Sequence, residues 1–398
     1  MKILFIHEVS WFKKPVFEMH DFPELLSLRG HEVSFIEYDE GKRRTRWRTL
    51  TSLESRAWAG SRVAVTTPPQ FLPGIFGRIL ATIIQPFIFW RLVTVARPDV
   101  VVTYSVPTSG WQVIVICKIM HIPTVARIID IAHVLRESRL SVLIKQAEKF
   151  VYKNSTFVSC HNEFLRSYCV ENGARADQSG VTYPGVDFTQ FFPGEKSQSL
   201  IKTLKIRPSD RVLMYMGTVY RFSGLVEILH ELSTSLKENP SLKFLIIGAG
   251  EDLSRFLNEA RLLGLQEQVI SVGNIEYNLL PDYLRLGDVA LLPFKPELVA
   301  HAALSGKVLK YLAVGVPVVS TDLKGLRSAI NDGEGVIYCS GYNNLASSAI
   351  DLLESPHRCQ QLSTQGLLKI AQMCNWQVRI DEFVDILTTV SARTCLDR

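Results

Sequence analysis

Short runs of β-branched residues alternate along this chain with amphipathic segments of helical period, the pattern of parallel sheets covered by helices on both faces. In the first half the runs predict strands at 2–9, 31–38, 100–104, 124–130, 156–159 and 181–183. Helices fall between them. One, whose last turns cover 24–29, stops at Gly30, and another ending at 168–172 stops at Gly173, where a left-handed cap favours a residue without Cβ. A second series of strands starts afresh at 212–216, 242–247, 269–272, 289–292, 316–320 and 335–338. The expected fold class is therefore α/β, with two doubly wound, Rossmann-like domains. The rhythm breaks in 187–209, where Phe191-Phe192-Pro193-Gly194 and the polar Lys196, Ser197, Gln198 and Ser199 mark a hinge. Ligands of open α/β sheets bind beyond the carboxyl ends of the strands, so two facing domains predict a substrate in the cleft between them.

Composition narrows the class. The length of 398 residues allows two or three domains, and 47% apolar, 10% aromatic and 21% charged residues exclude disorder and collagen-like structure. Mean hydropathy is slightly high, at +0.12. The longest uncharged stretch, 100–117, is broken by Thr103, Tyr104, Ser105, Pro107, Thr108, Ser109 and Gly110, so no spanning helix is expected. The apolar start, residues 2–6, gives way at once to His7 and Glu8 and is too short for a signal peptide, so the chain is expected to stay in the cytoplasm. Seven scattered cysteines without a Cys-x-x-Cys pair indicate neither a disulfide framework nor a zinc knuckle.

The net charge of +5 is uneven. Residues 42–97 carry ten basic residues against one acid, Glu54, and enclose the apolar run 71–90, which Pro73, Gly74, Gly77, Arg78 and Pro86 interrupt. That combination reads as a surface lying on an anionic bilayer, with peripheral contact through 42–97 at the inner membrane face. The alternative is a core helix preceded by a solvated basic loop. Nucleic acid is ranked below both, because no recognition motif accompanies the charge.

The most informative chemistry lies in 288–297 and 304–322. A strand ends at Pro293, a loop crosses the strand ends, and a helix begins near Gly306 and stops at Gly315. Backbone N–H groups at such a start, with Lys307 and Lys310 on its first turn, form an anion site for a diphosphate. An ordinary αβ unit with solvated lysines is the alternative.

At these residues the chain resembles the GT-B glycosyltransferases of the retaining, nucleotide-sugar-dependent family 4 type. The likeness runs through Arg29-Gly-His-Glu-Val33, Arg97-Pro-Asp-Val-Val101, His121-Ile-Pro-Thr-Val125, Tyr183-Pro-Gly-Val-Asp187, Tyr215-Met-Gly-Thr218, Ile246-Ile-Gly-Ala-Gly-Glu251, Val272-Gly-Asn-Ile275 and Ala313-Val-Gly-Val-Pro-Val-Val319. Each motif alone is weak; their order over more than 300 residues is specific. The resemblance implies an N-terminal acceptor domain, 1–190 with a returning C-terminal helix 376–398, and a nucleotide-sugar domain, 205–375. It also implies no metal and no cofactor beyond a UDP- or GDP-linked sugar donor as substrate.

On that pattern the donor-binding candidates are Gly217, Thr218, Arg221, Ser223, Gly248, Gly250, Asn274, Ile275, Glu297, Gly306, Lys307, Val308 and Lys310. Several depart from the family. An arginine usually follows the glycine at Gly217 and a lysine precedes that at Gly224; here they are Thr218 and Ser223, with Arg221 between as a substitute. The second of two family glutamates, an acceptor for ribose hydroxyls, is Lys310, which can only donate. The first is Glu297. In the acceptor domain the family's His-Asp pair is Ile129-Asp130, so Asp130 is the catalytic candidate, with His133 in place of the lost imidazole. Asp130 as a helix N-cap and His133 as a structural histidine are the alternatives. The first loop lacks the family's glycine pair and offers Trp11, Lys13 and Lys14 to an acceptor or to the diphosphate.

The expected function is transfer of a sugar to a lipid-linked or cell-surface glycan. A non-catalytic GT-B partner subunit and a GT-B-fold sugar-nucleotide epimerase are the alternatives.

Overall fold

Runs such as Val100–Thr103 bury every side chain, which is what a strand covered on both faces requires. The computed structural model describes the chain apart from residues 39–47, 53–54, 70–71, 73, 105–107, 136–139 and 397–398. It divides into two units, Met1–Pro184 with Gln377–Arg398, and Gly185–Trp376.

The first unit contains strands β1 (Lys2–Ile6), β2 (Glu32–Ile36), β3 (Arg48–Ser52), β4 (Val63–Thr67), β5 (Val100–Thr103), β6 (Thr124–Ile128), β7 (Phe157–Cys160) and β8 (Ser179–Val181). Its helices are α1 (Glu18–Leu28), α2 (Gly74–Ala96), α3 (Gly110–Ile119), α4 (Ala132–Leu135), α5 (Ser141–Asn154) and α6 (Glu163–Glu171). The sheet order is β3-β4-β2-β1-β5-β6-β7-β8, parallel except for the edge pair β3–β4. Strand order reverses between β1 and β5. Leu4 and Ile6 of β1 pack with Phe89 and Val93 of α2 and Val113 and Ile116 of α3.

The second unit contains β9 (Arg211–Met216), β10 (Leu242–Ile247), β11 (Val269–Gly273), β12 (Val289–Leu292), β13 (Val318–Thr321) and β14 (Val336–Cys339). They form an all-parallel sheet in the order β11-β10-β9-β12-β13-β14. Around it run α7 (Gln198–Thr203), α8 (Leu225–Glu238), α9 (Leu253–Leu262), α10 (Leu280–Leu284), α11 (Leu298–Ala302), α12 (Gly306–Ala313), α13 (Lys324–Arg327), α14 (Tyr342–Glu354) and α15 (Pro356–Met373). Here the order reverses between β9 and β12. The last helix, α16 (Trp376–Leu396), packs in the first unit, where Phe383 meets Phe22 of α1 with ring centroids 4.6 Å apart.

Three sequence expectations change. Residues 48–52 and 63–67, read as part of a basic loop or membrane surface, are the edge strand β3 and its neighbour β4. The strand placed at 181–183 is Ser179–Val181. The run expected to be interrupted at Gly74, Gly77 and Pro86 forms one helix of 23 residues. Pro86 has no N–H for the carbonyl of Thr82, four residues earlier, and Gln112 of α3 donates its Nε2 to that carbonyl instead, at 2.6 Å. By length and composition, Phe76–Ala96, mean hydropathy 1.7, is long and apolar enough to cross a membrane. One side of it, Gly77, Gln85, Phe89 and Val93, is buried in the unit, whereas Phe76, Ile79, Ile83, Phe87 and Trp90 form an exposed stripe. Lys42, Arg43, Arg44 and Arg46 of the basic segment lie outside the described residues.

Replacing Gln112 by leucine should leave the Thr82 carbonyl unsatisfied and cost about 1–3 kcal/mol. Adding Pro86→Ala should recover most of that loss in urea unfolding. An unchanged midpoint for Gln112→Leu would remove this account of the helix.

Candidate functional site

Both sheets reverse strand order, and the crevice outside the carboxyl ends at such a point is where α/β folds take ligands. In the second unit that point lies between Gly217, after β9, and Pro293-Phe294, after β12. Gly217 has φ of 130°, and a Cβ there would come within 1.9 Å of Lys307 Cε. The glycine thus leaves the room that the Lys307 side chain occupies. Gly248 and Gly250 are equally constrained: a Cβ on the first would meet the Gly217 carbonyl oxygen, and on the second the Val219 oxygen, both at 2.2 Å.

Lys307 enters this crevice from α12, whose N-cap Ser305 makes no side-chain bond to the helix. The first-turn N–H groups of Gly306 and Lys307 have no carbonyl partner within the helix. The Lys307 ammonium lies 4.8 Å from the Phe294 ring centroid and 5.9 Å from that of Tyr215, with no carboxylate in ion-pair range among the described residues. Burial, then the Lys310 ammonium, pushes its pKa down to about 8. A cation held partly desolvated beside a second cation is electrostatically prepared for an anion.

The other donor candidates divide. Thr218 and Arg221 are exposed, and Arg221 has no ion pair among the described residues. Asn274 is exposed and Ile275 half-buried after β11. Glu297 is exposed as the N-cap of α11. Lys310 belongs to the second turn of α12, with its ammonium 5.1 Å from the Tyr277 centroid and 5.6 Å from that of Phe191. Two candidates are corrected. Ser223 is fully buried: its hydroxyl meets Tyr215 Oη at 3.1 Å and accepts the Tyr220 N–H at 3.0 Å, so it holds its own turn. Val308 has its side chain in the core and its N–H on the Ser305 carbonyl, at 3.0 Å.

In the first unit the reversal lies between His7-Glu8, after β1, and Tyr104, after β5. The His7 ring stacks on Tyr104 with centroids 4.9 Å apart. The buried Glu8 carboxylate accepts the N–H groups of Thr108 and Ser109 at 2.6 and 2.8 Å, and Arg78 of α2 lies 3.5 Å from it. One strand further along the sheet, Asp130 is half-buried after β6. His133, on α4, places Nδ1 2.5 Å from Glu148 of α5, which also accepts the His133 N–H at 3.3 Å. Burial raises the Glu148 pKa against the opposing pull of His133. The contact fixes the ring and leaves Nε2 as the nitrogen open to a ligand.

Trp11 is also corrected. Its indole is fully buried between Phe35 and His20, with centroids 4.6 and 4.7 Å away, where the buried Glu37 carboxylate draws in the backbone N–H of Trp11 at 2.6 Å and the Ser10 hydroxyl at 3.0 Å. Lys13 and Lys14 beside it are exposed.

Sequence reasoning missed Glu148, Glu18, Arg127 and His161. Glu148 had a signal: an acid in the stripe Ile144, Glu148, Val151 that otherwise turns inward. Glu18 at the start of α1 accepts two bonds from the buried Arg127, at 2.9 and 2.7 Å, and faces His161 Nε2 at 2.5 Å. Burial alone would raise its pKa, but Arg127 and His161 hold it well below the usual carboxylate range. A depressed carboxylate stabilises the fold above its unfolded pKa, and that contribution is lost as pH falls toward the folded value. Glu18→Gln should cost about 3–5 kcal/mol at neutral pH, with the difference from wild type shrinking as the solution is acidified below pH ~4. Equal urea midpoints at pH 7 would show the pair to be dispensable. Among the described residues, no three His, Cys, Asp or Glu side chains converge as a metal site would require.

Comparison with known proteins agrees with this division. Residues 20–190 match the family model Glycosyltransferase Family 4, and residues 210–355 match Glycosyl transferases group 1. The D-inositol 3-phosphate glycosyltransferase 2 of Catenulispora acidiphila is 26% identical over 208 residues, 50% of this chain and 46% of that protein. The D-inositol 3-phosphate glycosyltransferase of Thermomonospora curvata is 24% identical over 233 residues, 54% and 52% of the two chains. The chain thus spans about half the length of these curated relatives. Among solved structures, sucrose-phosphate synthase from Thermosynechococcus elongatus superposes with a TM-score of 0.78 at 14% identity, covering 99% of this chain and 100% of the other. Anabaena HepE, solved with UDP, gives 0.74 at 16% identity, covering 98% and 100%. These structures share the fold of two parallel-sheet α/β domains.

Proposed function

Because the chain belongs to the GT-B glycosyltransferases, we propose that it moves a sugar from a nucleoside-diphosphate donor to a lipid-linked or cell-surface glycan acceptor at the cytoplasmic face of a membrane. The observation that carries the donor half is Lys307: an ammonium without a carboxylate partner, lying across Gly217 where the second sheet reverses its strand order. The departing diphosphate gains charge as the sugar–phosphate bond breaks. Lys307, Arg221 and the free N–H groups of α12 supply fixed positive potential for it. In the first unit Asp130 and His133 serve the acceptor hydroxyl, His133 taking its proton through Nε2 while Glu148 holds the ring.

The membrane half rests on the exposed stripe of α2, on the exposed Arg91 of the same helix, and on the basic composition of 42–97. UDP is the first donor to try, since HepE was solved with UDP and with UDP-glucose. A thermal-shift panel of UDP-, GDP- and other sugar nucleotides tests donor binding; no stabilisation by any of them would sink it. Sedimentation with anionic vesicles at low salt tests the membrane contact, and protein left in the supernatant would count against it.

Ser223, committed to bonds within its own turn, favours one second reading: a partner subunit that keeps the fold without turnover. Such a protein would give no transfer with any donor alone and would co-purify with an active enzyme.

A further inference from the structure

At the opposite end of the first sheet's strands, by the amino ends of β1, β5 and β6, lies a cavity of about 600 Å³. That is in the range of small-ligand sites. Its walls are largely apolar, from Val93 near the end of α2 and Pro98 after it, Met120, Ile122 and Pro123 after α3, and Ala392 of α16. Arg97 and His121, both exposed, stand at its rim.

The backbone at these two residues is unusual. Among the described residues only Arg97 (φ 46°), His121 (φ 54°) and Lys205 (φ 54°) adopt positive φ without being glycine. Arg97 and His121 each end a helix, where the left-handed conformation is ordinarily given to glycine. Elsewhere Gly30 after α1, Gly173 after α6, Gly264 after α9 and Gly315 after α12 follow that rule with positive φ, and Lys205, after α7, departs from it. Two of the three departures among the described residues thus stand at this one cavity, each against the Cβ penalty of the left-handed region. Strain of this kind points to a side chain that is needed where it stands. Arg97 has no ion pair among the described residues. The one carboxylate lining the cavity, Asp99, is turned to the β1 backbone and accepts the Lys2 N–H at 2.7 Å.

We propose that this cavity binds an anionic amphiphile, with the alkyl chain between α2, α3 and α16 and a phosphate or carboxylate head on Arg97. The site is separate from the sheet-reversal crevices and does not depend on the transfer reaction. Its place at the foot of α2, whose Val95 is exposed beside the lining residues, suits a ligand drawn from a bilayer or from solution.

Calorimetry on the full chain with dodecyl phosphate tests the assignment, with dodecanol and inorganic phosphate as controls. Dodecyl phosphate should bind at least about tenfold more tightly than either control, as a charge-assisted bond added to apolar burial requires. Arg97→Gly keeps the left-handed turn and relieves its strain. It should raise the thermal midpoint by about 2–4 °C while weakening dodecyl phosphate about tenfold or more. Ala392→Phe, which fills the cavity, should weaken binding by a similar factor. Phosphatidylglycerol against phosphatidylcholine vesicles then separates the sources: Arg97-dependent sedimentation with the anionic vesicles identifies a bilayer lipid, and binding of monomeric dodecyl phosphate alone identifies a soluble amphiphile. Dodecanol binding as tightly as dodecyl phosphate, or Arg97→Gly binding as wild type, would overturn the proposal.

Discussion

Lys307→Ala is expected to lower sugar transfer by about 10²–10³-fold, the usual cost of removing one preorganised charge that faces the developing negative charge of a reaction. The side chain lies across Gly217, which leaves it the room, and a Cβ there would displace it. The pH dependence identifies the group. With a pKa near 8 in the free protein, Lys307 is mostly charged at pH 7 and mostly neutral at pH 9. A bound diphosphate favours the charged form, so nucleotide affinity should fall by about tenfold per pH unit above 8, until the bound-state pKa is reached. Below pH 8 it should be flat. Titration calorimetry in buffers of different ionisation heat should also show proton uptake on binding at pH 8.5. Lys307→Ala should abolish both the slope and the uptake; if the slope persists in the variant, another group titrates.

His133→Ala should lower transfer by about 10²–10⁴-fold, the range for losing a positioned proton acceptor. The test that separates chemistry from packing is Glu148→Gln. The glutamine oxygen can accept a hydrogen bond from Nδ1–H but carries no charge, so the variant should keep the fold and the donor affinity while lowering turnover and shifting its pH profile. If His133 were only structural, Glu148→Gln would change stability without moving that profile. Asp130→Ala in parallel measures how much of the acceptor chemistry rests on the carboxylate.

How much could be read in the sequence follows from where the deciding interactions lie. Val100–Thr103 and Leu242–Ile247 announced themselves because interior parallel strands are apolar on both faces. β3, with the sequence Arg-Thr-Leu-Thr-Ser, did not, because an edge strand needs no apolar run. The continuity of α2 was hidden for another reason: the group that compensates Pro86 is Gln112, on a different helix. Lys307 was legible because Gly-Lys at a helix start is a local signal. Trp11 was misplaced because its backbone N–H is held by Glu37, 26 residues away. Ser223 and Val308 were chosen by their positions in a motif, and the structure turns one hydroxyl and one N–H to internal bonds instead.

The glycines around β9 and β10 have a consequence for how this protein can be redesigned or can diverge. With Gly248 in contact with the Gly217 carbonyl and Gly250 with that of Val219, the two loops form one unit in which no side chain can be added on the contacting faces. New donor preferences cannot be written there. They have to be written at neighbours with room to vary, the exposed Thr218 and Asn274 and, with loss of its charge on the proposed diphosphate, Arg221, where exchange of side chains leaves the two loops intact. A saturation library confined to those three positions should therefore retain folded variants far more often than one that includes any of the three glycines.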